Sequence, residues 1–540
     1  MQQWVFHRHW ASTLLLCAGI GGIYLVGILS RSIWYDEAIT LQSLSGQRLA
    51  AQEFGFVDIG ALKTFVTGTT SLPELIRRYI ETDVHPPLYF ILAHAATLIF
   101  GTQLVVVRGL SLVLVLFSAL LYRRLLGQVG ERTGLGVMLV YALSFAAITT
   151  AQDARGYALV LLLVILAWRL LILAARCGSG QGRFRIDFLL GLTCGGLLLT
   201  HYFALFVVLP LLGWRMIETT RNRDPAGLIA PLVCACVFAP WLPVMLEHLG
   251  ARPEQMAGFQ GVLPWSKRMM LLLPAQVISA THGGFPDILQ NALRGVVLLL
   301  MLIGTLRIML HPAPAPERRG LEHIAVFVPA AGLLCFLLVS ILLDRWFDTF
   351  RYLLFFAPFL CYLAARGALL VGTVLASPFG RKAYVAASPL VILIAVQLAM
   401  ANFGYETNRN RGGAYFKSIA HQLRSVGVRD SLVIIDPGNG RGTLLAAAQA
   451  LPEENAAYVL PRDPAQWAES AERLAPQLAE LKMVLLVFTI TRGNMESDKT
   501  LLYDPIVQTL EAAGFIGAEE PPVPHGRRFY AKWERPDGNS

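Results

Sequence analysis

The chain has 540 residues, of which 55% are hydrophobic and only 15% charged, with a mean hydropathy of +0.55 and a formal charge of +9. An ordinary soluble protein carries about 25% charged residues, so the composition excludes a soluble globular chain and specifies a polytopic membrane protein. Residues 401–540 hold 15 Lys+Arg against 17 Asp+Glu, leaving 30 against 19 for the first 400; the basicity belongs to membrane loops, which excludes a basic nucleic-acid-binding face.

At the N-terminus Arg8 precedes an apolar run from Thr13, and Arg31 and an acidic loop follow it without an Ala-x-Ala site, the pattern of a signal anchor. From Thr13 to Met400, runs able to cross a hydrocarbon core of about 30 Å recur. They predict about eleven spans, near residues 13–30, 104–122, 134–150, 157–175, 187–200, 203–214, 226–246, 291–310, 322–343, 353–371 and 383–400. Arg123, Arg124 and Arg132, then Arg176, Arg183 and Arg185, Arg215, Arg221 and Arg223, Arg318 and Arg319, and Arg381 with Lys382 crowd alternate short loops, which predicts that those loops are cytoplasmic. The N-terminus is then cytoplasmic, and the loops 31–103 and 247–291 lie outside. Pro86 to Phe100 is apolar but too short to cross without inverting every later loop. It reads as an interfacial helix entered through His85-Pro86-Pro87.

The organisation predicted is a membrane domain at 1–404 and a soluble domain at 405–540 on the outer, periplasmic side of a bacterial inner membrane. An amphipathic helix pattern at 414–423 precedes a strand at 431–436, a glycine-rich turn at 437–442, a helix at 443–450 and a strand at 483–488, an α/β alternation. Gly438-x-Gly440-x-Gly442 lacks the spacing of a dinucleotide loop and reads as a plain turn. All seven cysteines fall between Cys17 and Cys361, and Cys234-x-Cys236 lacks zinc-site spacing.

The outer span ends collect Trp34, Asp36, Glu37, His85, Asp153, Arg155, Tyr157, His201, Tyr202, Asp344, Arg345, Asp348, Arg351 and Tyr352. Charged groups so close to the hydrocarbon cost several kcal/mol unless paired or near water, so they tend to face cavities. Paired carboxylates supply an acid or a base, and Arg beside Tyr supplies a fork for a phosphate oxygen. Each residue taken singly also has a plain structural reading: Asp36 and Glu37 as helix caps, Asp153 and Arg155 as a surface ion pair, His85 as a turn residue, His201 as a core histidine, and Arg345 and Arg351 as interface anchors. A multi-pass lipid or glycan transporter or flippase is the alternative class. Transporters place their sites near the midplane at a repeat interface, whereas here no repeat is evident and the charged groups gather at one face.

Taken in order, the motifs carry more. Trp34-Tyr-Asp-Glu-Ala38, Asp83-Val-His-Pro-Pro-Leu-Tyr89, Val107-Arg-Gly-Leu-Ser111, Gln152-Asp-Ala-Arg-Gly-Tyr157, Thr200-His-Tyr-Phe203 and Arg351-Tyr-Leu-Leu-Phe-Phe-Ala-Pro358 together resemble the GT-C membrane glycosyltransferases. The resemblance is to the protein-mannosyltransferase and aminoarabinose-transferase branch, glycosyltransferase family 39 or 83, and covers Arg8 to about Met400. It implies an α-helical polytopic GT-C fold with juxtamembrane helices over a cavity. It also implies a sugar donor carried on polyprenyl phosphate and an inverting transfer to a hydroxyl of a glycan, lipid or protein acceptor. By the same resemblance Asp36 is the base, Glu37 supports it, and Asp153 positions the acceptor or a metal. Arg155, Arg351 and Tyr352 hold the lipid phosphate, and His85, Tyr157, His201 and Tyr202 line the pocket. Some relatives bind a divalent cation such as Mg or Mn between outer acidic loops, where Asp36 and Asp153 offer oxygen ligands, and others work without one. The aminoarabinose branch has Asp-Glu-Thr-Arg where this chain has Asp36-Glu37-Ala38-Ile39, which speaks against a lipid A acceptor.

Overall fold

The computed structural model describes residues 2–536 except 32, 48–54, 82–84, 178–180, 251–261, 279–286, 344–345, 347–349, 378–381, 410–418, 422, 426, 428–429, 436–440, 462–465, 490–498 and 518–527. Asp344, Arg345, Asp348, most of the 414–423 helix pattern, and Gly438 and Gly440 lie outside the described residues. In chain order the helices are α1 (Gln2–Ser30), α2 (Tyr35–Ser45), α3 (Ile59–Lys63), α4 (Leu72–Glu81), α5 (Leu88–Phe100), α6 (Leu104–Leu125), α7 (Glu131–Ala142), α8 (Phe145–Ala151) and α9 (Tyr157–Arg176). They continue as α10 (Gln181–Leu198), α11 (Leu205–Asn222), α12 (Ile229–Phe238), α13 (Leu242–Gly250), α14 (Val262–Ala275), α15 (Asp287–Leu310), α16 (Pro316–Leu342), α17 (Ala357–Ala376) and α18 (Lys382–Arg409).

Among the described residues eight helical segments are long and apolar enough to cross a membrane, and the bent pair α7–α8 makes up to nine. The two remaining predicted spans are helices of a different character. α10 carries Arg183, Arg185 and Asp187 in its first two turns, and the apolar part of α18 is confined to Ala387–Ala401. The chain is a multi-pass membrane protein. α5 has 13 residues, about 20 Å of helix, short of the hydrocarbon thickness.

The chain divides into two compact units. The first comprises Met1–Ile28, Tyr79–Leu92 and Arg108–Thr407. Because lipid tails are as apolar as leucine, its helices associate through close packing at small residues rather than through a hydrophobic drive. Gly191 and Gly195 of α10 face α12, where an added Cβ would lie 2.7 Å from Cβ of Val233 and 2.6 Å from Cγ1 of Val237, respectively. Gly304 of α15 and Gly367 of α17 oppose one another; a Cβ on Gly367 would overlap the carbonyl oxygen of Leu300, and one on Gly304 that of Leu363. Gly367→Ala is therefore expected to destabilise the unit by about 1–3 kcal/mol through overpacking against backbone that cannot yield. Gly213→Ala, with nothing within 4 Å of the new methyl, is expected to leave the melting temperature level or raise it slightly. Equal melting temperatures for Gly367→Ala and the wild type would exclude this reading of the α15–α17 contact.

Helices α7 and α8 meet at 54°. The break is satisfied locally: Ser144 Oγ accepts from the Ala147 N–H at 3.2 Å, and the Phe145 and Ala146 N–H groups donate to the carbonyls of Val277 and Gln276 at 3.1 Å. This bend sets the direction of the turn 152–156 between α8 and α9.

The second unit comprises Leu29–Arg78, Ala93–Val107 and Asn408–Ser540. Its strands are β1 (Gly55–Asp58), β2 (Ser431–Ile435), β3 (Ala456–Val459), β4 (Met483–Thr489), β5 (Ile516–Gly517) and β6 (Arg528–Glu534). They form one sheet in the order β1-β3-β2-β4-β6-β5, with β2 parallel to both β3 and β4 and the remaining pairs antiparallel. The predicted strands at 431–436 and 483–488 and the helix at 443–450 correspond to β2, β4 and the helix Arg441–Ala450. β1 comes from the first large loop, about 400 residues before its partner β3, with Gly55 opposite Val459 and Asp58 opposite Ala456. Lys63 Nζ meets Glu453 Oε1 at 2.8 Å, and the Phe56 and Tyr458 rings meet edge to face at 5.0 Å. The loop that carries Asp36 and Glu37 is thus folded onto the tail.

Candidate active site

The predicted site residues fall into two groups, one in each unit. In the second unit α2 begins directly behind Trp34, whose backbone is extended. Glu37, in the first helical turn, accepts the Trp34 N–H at 3.2 Å and is fully buried. Its carboxylate closes the open amide end of α2 and sits where the helix dipole favours negative charge. Asp36 is half-buried in the same turn, and its carbonyl accepts from Thr40 Oγ1 at 3.0 Å. Of the pair, the Asp36 carboxylate is the more accessible. α2 is otherwise buried from Thr40 to Ser45 and packs against the helix Arg441–Ala450. It ends at Gly46 with φ +78°, where a Cβ would overlap the Thr70 side chain.

In the first unit His85 stands before the buried pair Pro86-Pro87, and the Leu88 N–H donates to the Leu199 carbonyl at 2.9 Å, tying the start of α5 to the end of α10. Arg155, 3% exposed, places Nη2 3.1 Å from the ring nitrogens of His85 and stacks its guanidinium 5.6 Å from the centre of the Phe90 ring. His201 lies 5.7 Å from His85, 5.3 Å from Tyr157, 6.4 Å from Tyr352 and 5.6 Å from Phe355, ring centre to ring centre. Its Nδ1 accepts the Phe203 N–H at 3.2 Å, capping the 3-10 turn Tyr202–Ala204. That bond assigns the proton to Nε2, which is buried and has no hydrogen-bond partner among the described residues. Tyr352 stacks flat on Phe203 at 4.1 Å. Asp153 is buried, two residues from Arg155 in the same turn.

Burial holds the His201 imidazole well below the usual histidine range, and the neighbouring His85, Arg155 and Arg351 push it the same way. A histidine whose pKa falls on folding binds fewer protons in the native than in the unfolded state. Its contribution to stability is complete above the free value of about 6.5 and is lost as the pH falls from there towards the folded value. Melting curves between pH 5 and 8 are expected to show a fall in Tm below about pH 6.5 that is smaller in His201→Gln. Superimposable pH profiles for the two proteins would remove His201 from the acid response.

His85, Arg155, Tyr157, His201, Arg351 and Tyr352 therefore converge, with Phe90, Phe203 and Phe355 supplying apolar walls that the motif order does not single out. Tyr202 is used elsewhere: its hydroxyl accepts from Trp241 Nε1 at 2.9 Å and lies 3.2 Å from His248 Nδ1, bracing the segment α12–α13. Parts of the motifs prove to be packing elements. Tyr89 bonds to Ser111 at 2.9 Å, joining α5 to α6, and a Cβ on Gly156 would meet Thr200 Cγ2 at 3.2 Å and Tyr89 Cβ at 3.3 Å. Three motifs distant in sequence meet at that glycine. Among the described residues no group of three or more His, Cys, Asp or Glu is arranged to hold a metal ion.

Residues 84–243 match the family model described as dolichyl-phosphate-mannose-protein mannosyltransferase, a segment that contains His85, Asp153, Arg155, Tyr157, His201 and Tyr202. No curated protein matches the chain by sequence. By structure it aligns with ArnT from Cupriavidus metallidurans bound to undecaprenyl phosphate at 12% identity, over 98% of each chain, with a TM-score of 0.48. It aligns with the Archaeoglobus fulgidus oligosaccharyltransferase in complex with Zn and sulfate at 12% identity, over 92% of this chain and 71% of that one, with a TM-score of 0.47. The arabinofuranosyltransferase AftD from Mycobacteria aligns at 14% identity over 96% of this chain and 41% of that one, with a TM-score of 0.44. Likeness at that level carries no functional inference. The family match falls on the segment that builds the His85–Arg155–His201 cluster; over residues 84–243 the chain is similar to the dolichyl-phosphate-mannose-protein mannosyltransferases, in line with the resemblance to the GT-C membrane glycosyltransferases that the ordered motifs carry.

Proposed function

We propose that the protein transfers a sugar from a polyprenyl-phosphate-sugar donor to an acceptor hydroxyl, with inversion at the anomeric carbon, on the periplasmic face of a bacterial inner membrane. The observation that carries this reading is the buried Arg155 guanidinium against His85, beside His201 and within reach of the Arg351 field, inside the segment that matches the family model. Arg155 and Arg351 bind the lipid phosphate, with Tyr352 beside them, and neutral His201 offers an Nε2–H to a phosphate or sugar oxygen. Tyr157 and His85 orient these groups. Asp36 takes the proton of the acceptor hydroxyl as its oxygen attacks the anomeric carbon. The bond from that carbon to the phosphate oxygen breaks with its electron pair going to the phosphate, whose growing charge the fixed guanidiniums stabilise in a water-poor site. Glu37 holds the amide end of α2, and Asp153 orients the acceptor.

The test is mass spectrometry of envelope lipids and glycans from a strain lacking the protein and from the same strain expressing it. A species heavier by one sugar, present only with the protein and dependent on a polyprenyl-phosphate-sugar supply in membrane vesicles, is expected. A substrate that changes sides of the membrane without changing mass would replace this reading by transport.

A further inference from the structure

Tyr202, next to His201 in the turn that builds the candidate site, is joined to another element of the same unit through one histidine. His248 of α13 is half-buried. Its Nε2 lies 3.1 Å from the Ile80 carbonyl oxygen and its Nδ1 3.2 Å from the Tyr202 hydroxyl, which also accepts from Trp241 Nε1 at 2.9 Å. A carbonyl only accepts and an indole N–H only donates, which fixes the directions. The Nε2–H donates to Ile80, and Nδ1 is left to accept the Tyr202 O–H. Every donor from Trp241 to His248 then has an acceptor. Ile80 lies in the last turn of α4, where carbonyls lack partners within the helix, and His248 satisfies one of them.

Both ends of this chain of hydrogen bonds reach walls of the site. Tyr79, the residue before Ile80, is fully buried and stacks on Phe90 at 4.1 Å with 21° between the rings. Phe90 in turn carries the Arg155 guanidinium over its face. At the other end Tyr202 stands between His201 and Phe203, and Phe203 stacks flat on Tyr352. One rigid ring offering a donor and an acceptor is suited to holding two such segments in register. The register matters because a misplacement of about 1 Å in positioning groups costs about 10²-fold in rate.

We propose that His248 is a positioning residue of the candidate site: by joining Tyr202 to Ile80 it holds the His201 turn at a fixed distance from the wall that carries Phe90 and Arg155. The proposal rests on the reading of that site as the place where the donor phosphate binds. His248 itself touches neither Arg155 nor the His201 ring among the described contacts, and acts through Tyr202 and the end of α4.

The test combines amide hydrogen exchange of the purified protein with native mass spectrometry against decaprenyl phosphate as the probe. His248→Ala is expected to speed exchange about three- to tenfold in both 76–81 and 200–206, and to weaken retention of the probe by a similar factor. His248→Gln, whose amide offers one donor and one acceptor, is expected to restore most of both. Tyr202→Phe, which keeps the ring and the bond from His248 to Ile80, is expected to speed exchange in 200–206 alone. Adding it to His248→Ala is expected to cost no further retention, because the two act through one bond. Unchanged exchange in either segment of His248→Ala, no restoration by His248→Gln, or faster exchange with unchanged retention overturns the proposal. Where His248→Ala folds poorly, Tyr202→Phe against wild type decides it, and exchange in 200–206 at the wild-type rate overturns it. A wild type that fails to retain the probe removes the donor-site reading, and the exchange rates still decide whether His248 joins the two segments, so the two failures are told apart.

Discussion

If the chain acts as proposed, Asp36→Asn is expected to lower sugar transfer by about 10²- to 10⁴-fold, the usual contribution of a general base, while leaving the binding of a polyprenyl-phosphate donor within about twofold of wild type. The substitution keeps the size of the side chain and removes only its ability to take a proton. Asp36 is half-buried in the first turn of α2, and its neighbour Glu37 is fully buried with an oxygen on the Trp34 N–H, so the two carboxylates are not equivalent. Glu37→Gln is expected to act mainly through the helix end, at a cost of about 0.5–2 kcal/mol in stability, with a smaller loss of turnover. Arg155→Met, in contrast, is expected to weaken retention of the proposed polyprenyl-phosphate donor. A fully active Asp36→Asn at matched membrane levels, measured by the mass of the transferred sugar on its acceptor, would move the base to another residue.

Arg215→Leu is expected to destabilise the first unit by about 3–5 kcal/mol, seen as a large fall in Tm. Arg215 and Asp187 are both fully buried, and they meet in a two-point contact, Nε to Oδ1 at 2.7 Å and Nη2 to Oδ2 at 2.8 Å. Asp224 adds a contact to Arg215 at 3.3 Å and to Arg183 at 2.8 Å, while Glu218 is held by Trp214 Nε1 at 3.0 Å. Removing the guanidinium strands a carboxylate where water cannot reach it, which costs far more than the pair contributes. The double variant Arg215→Leu with Asp187→Leu is therefore expected to recover most of the loss. A single variant as stable as wild type, or a double variant worse than the single, would contradict the burial-based account.

Much of the fold is legible in the order of the amino acids, because burial in lipid leaves a plain record. The hydropathy that places the spans, the cationic loops between them and the alternation that marks β2, β4 and the helix Arg441–Ala450 are local properties of short windows. The convergence of His85, Arg155, Tyr157, His201, Arg351 and Tyr352 is legible there only as an order of motifs, since nothing in the spacing puts residue 85 beside residue 155. The pairing of Asp187 with Arg215, and of Glu322 with Arg366, is hidden for a related reason. Glu218 with Arg215 and Glu322 with Arg318 are i,i+3 and i,i+4 contacts that the sequence does show, whereas Asp187 meets Arg215, and Glu322 meets Arg366, from another helix.

Composition and periodicity by themselves determine that this protein spans the membrane many times and that residues 430–490 contain strands. Tertiary structure alone decides which motif residues converge on the candidate site and which pack. Tyr89 and Ser111 join two helices, Tyr202 braces Trp241 and His248, and Gly156 allows three segments to approach. It also decides that Gly55–Asp58 completes a sheet whose other strands lie near the far end of the chain. The physical reason is common to these cases: strand pairing, ion pairing and close glycine contacts are interactions between residues distant in sequence, and only the folded chain selects the partners.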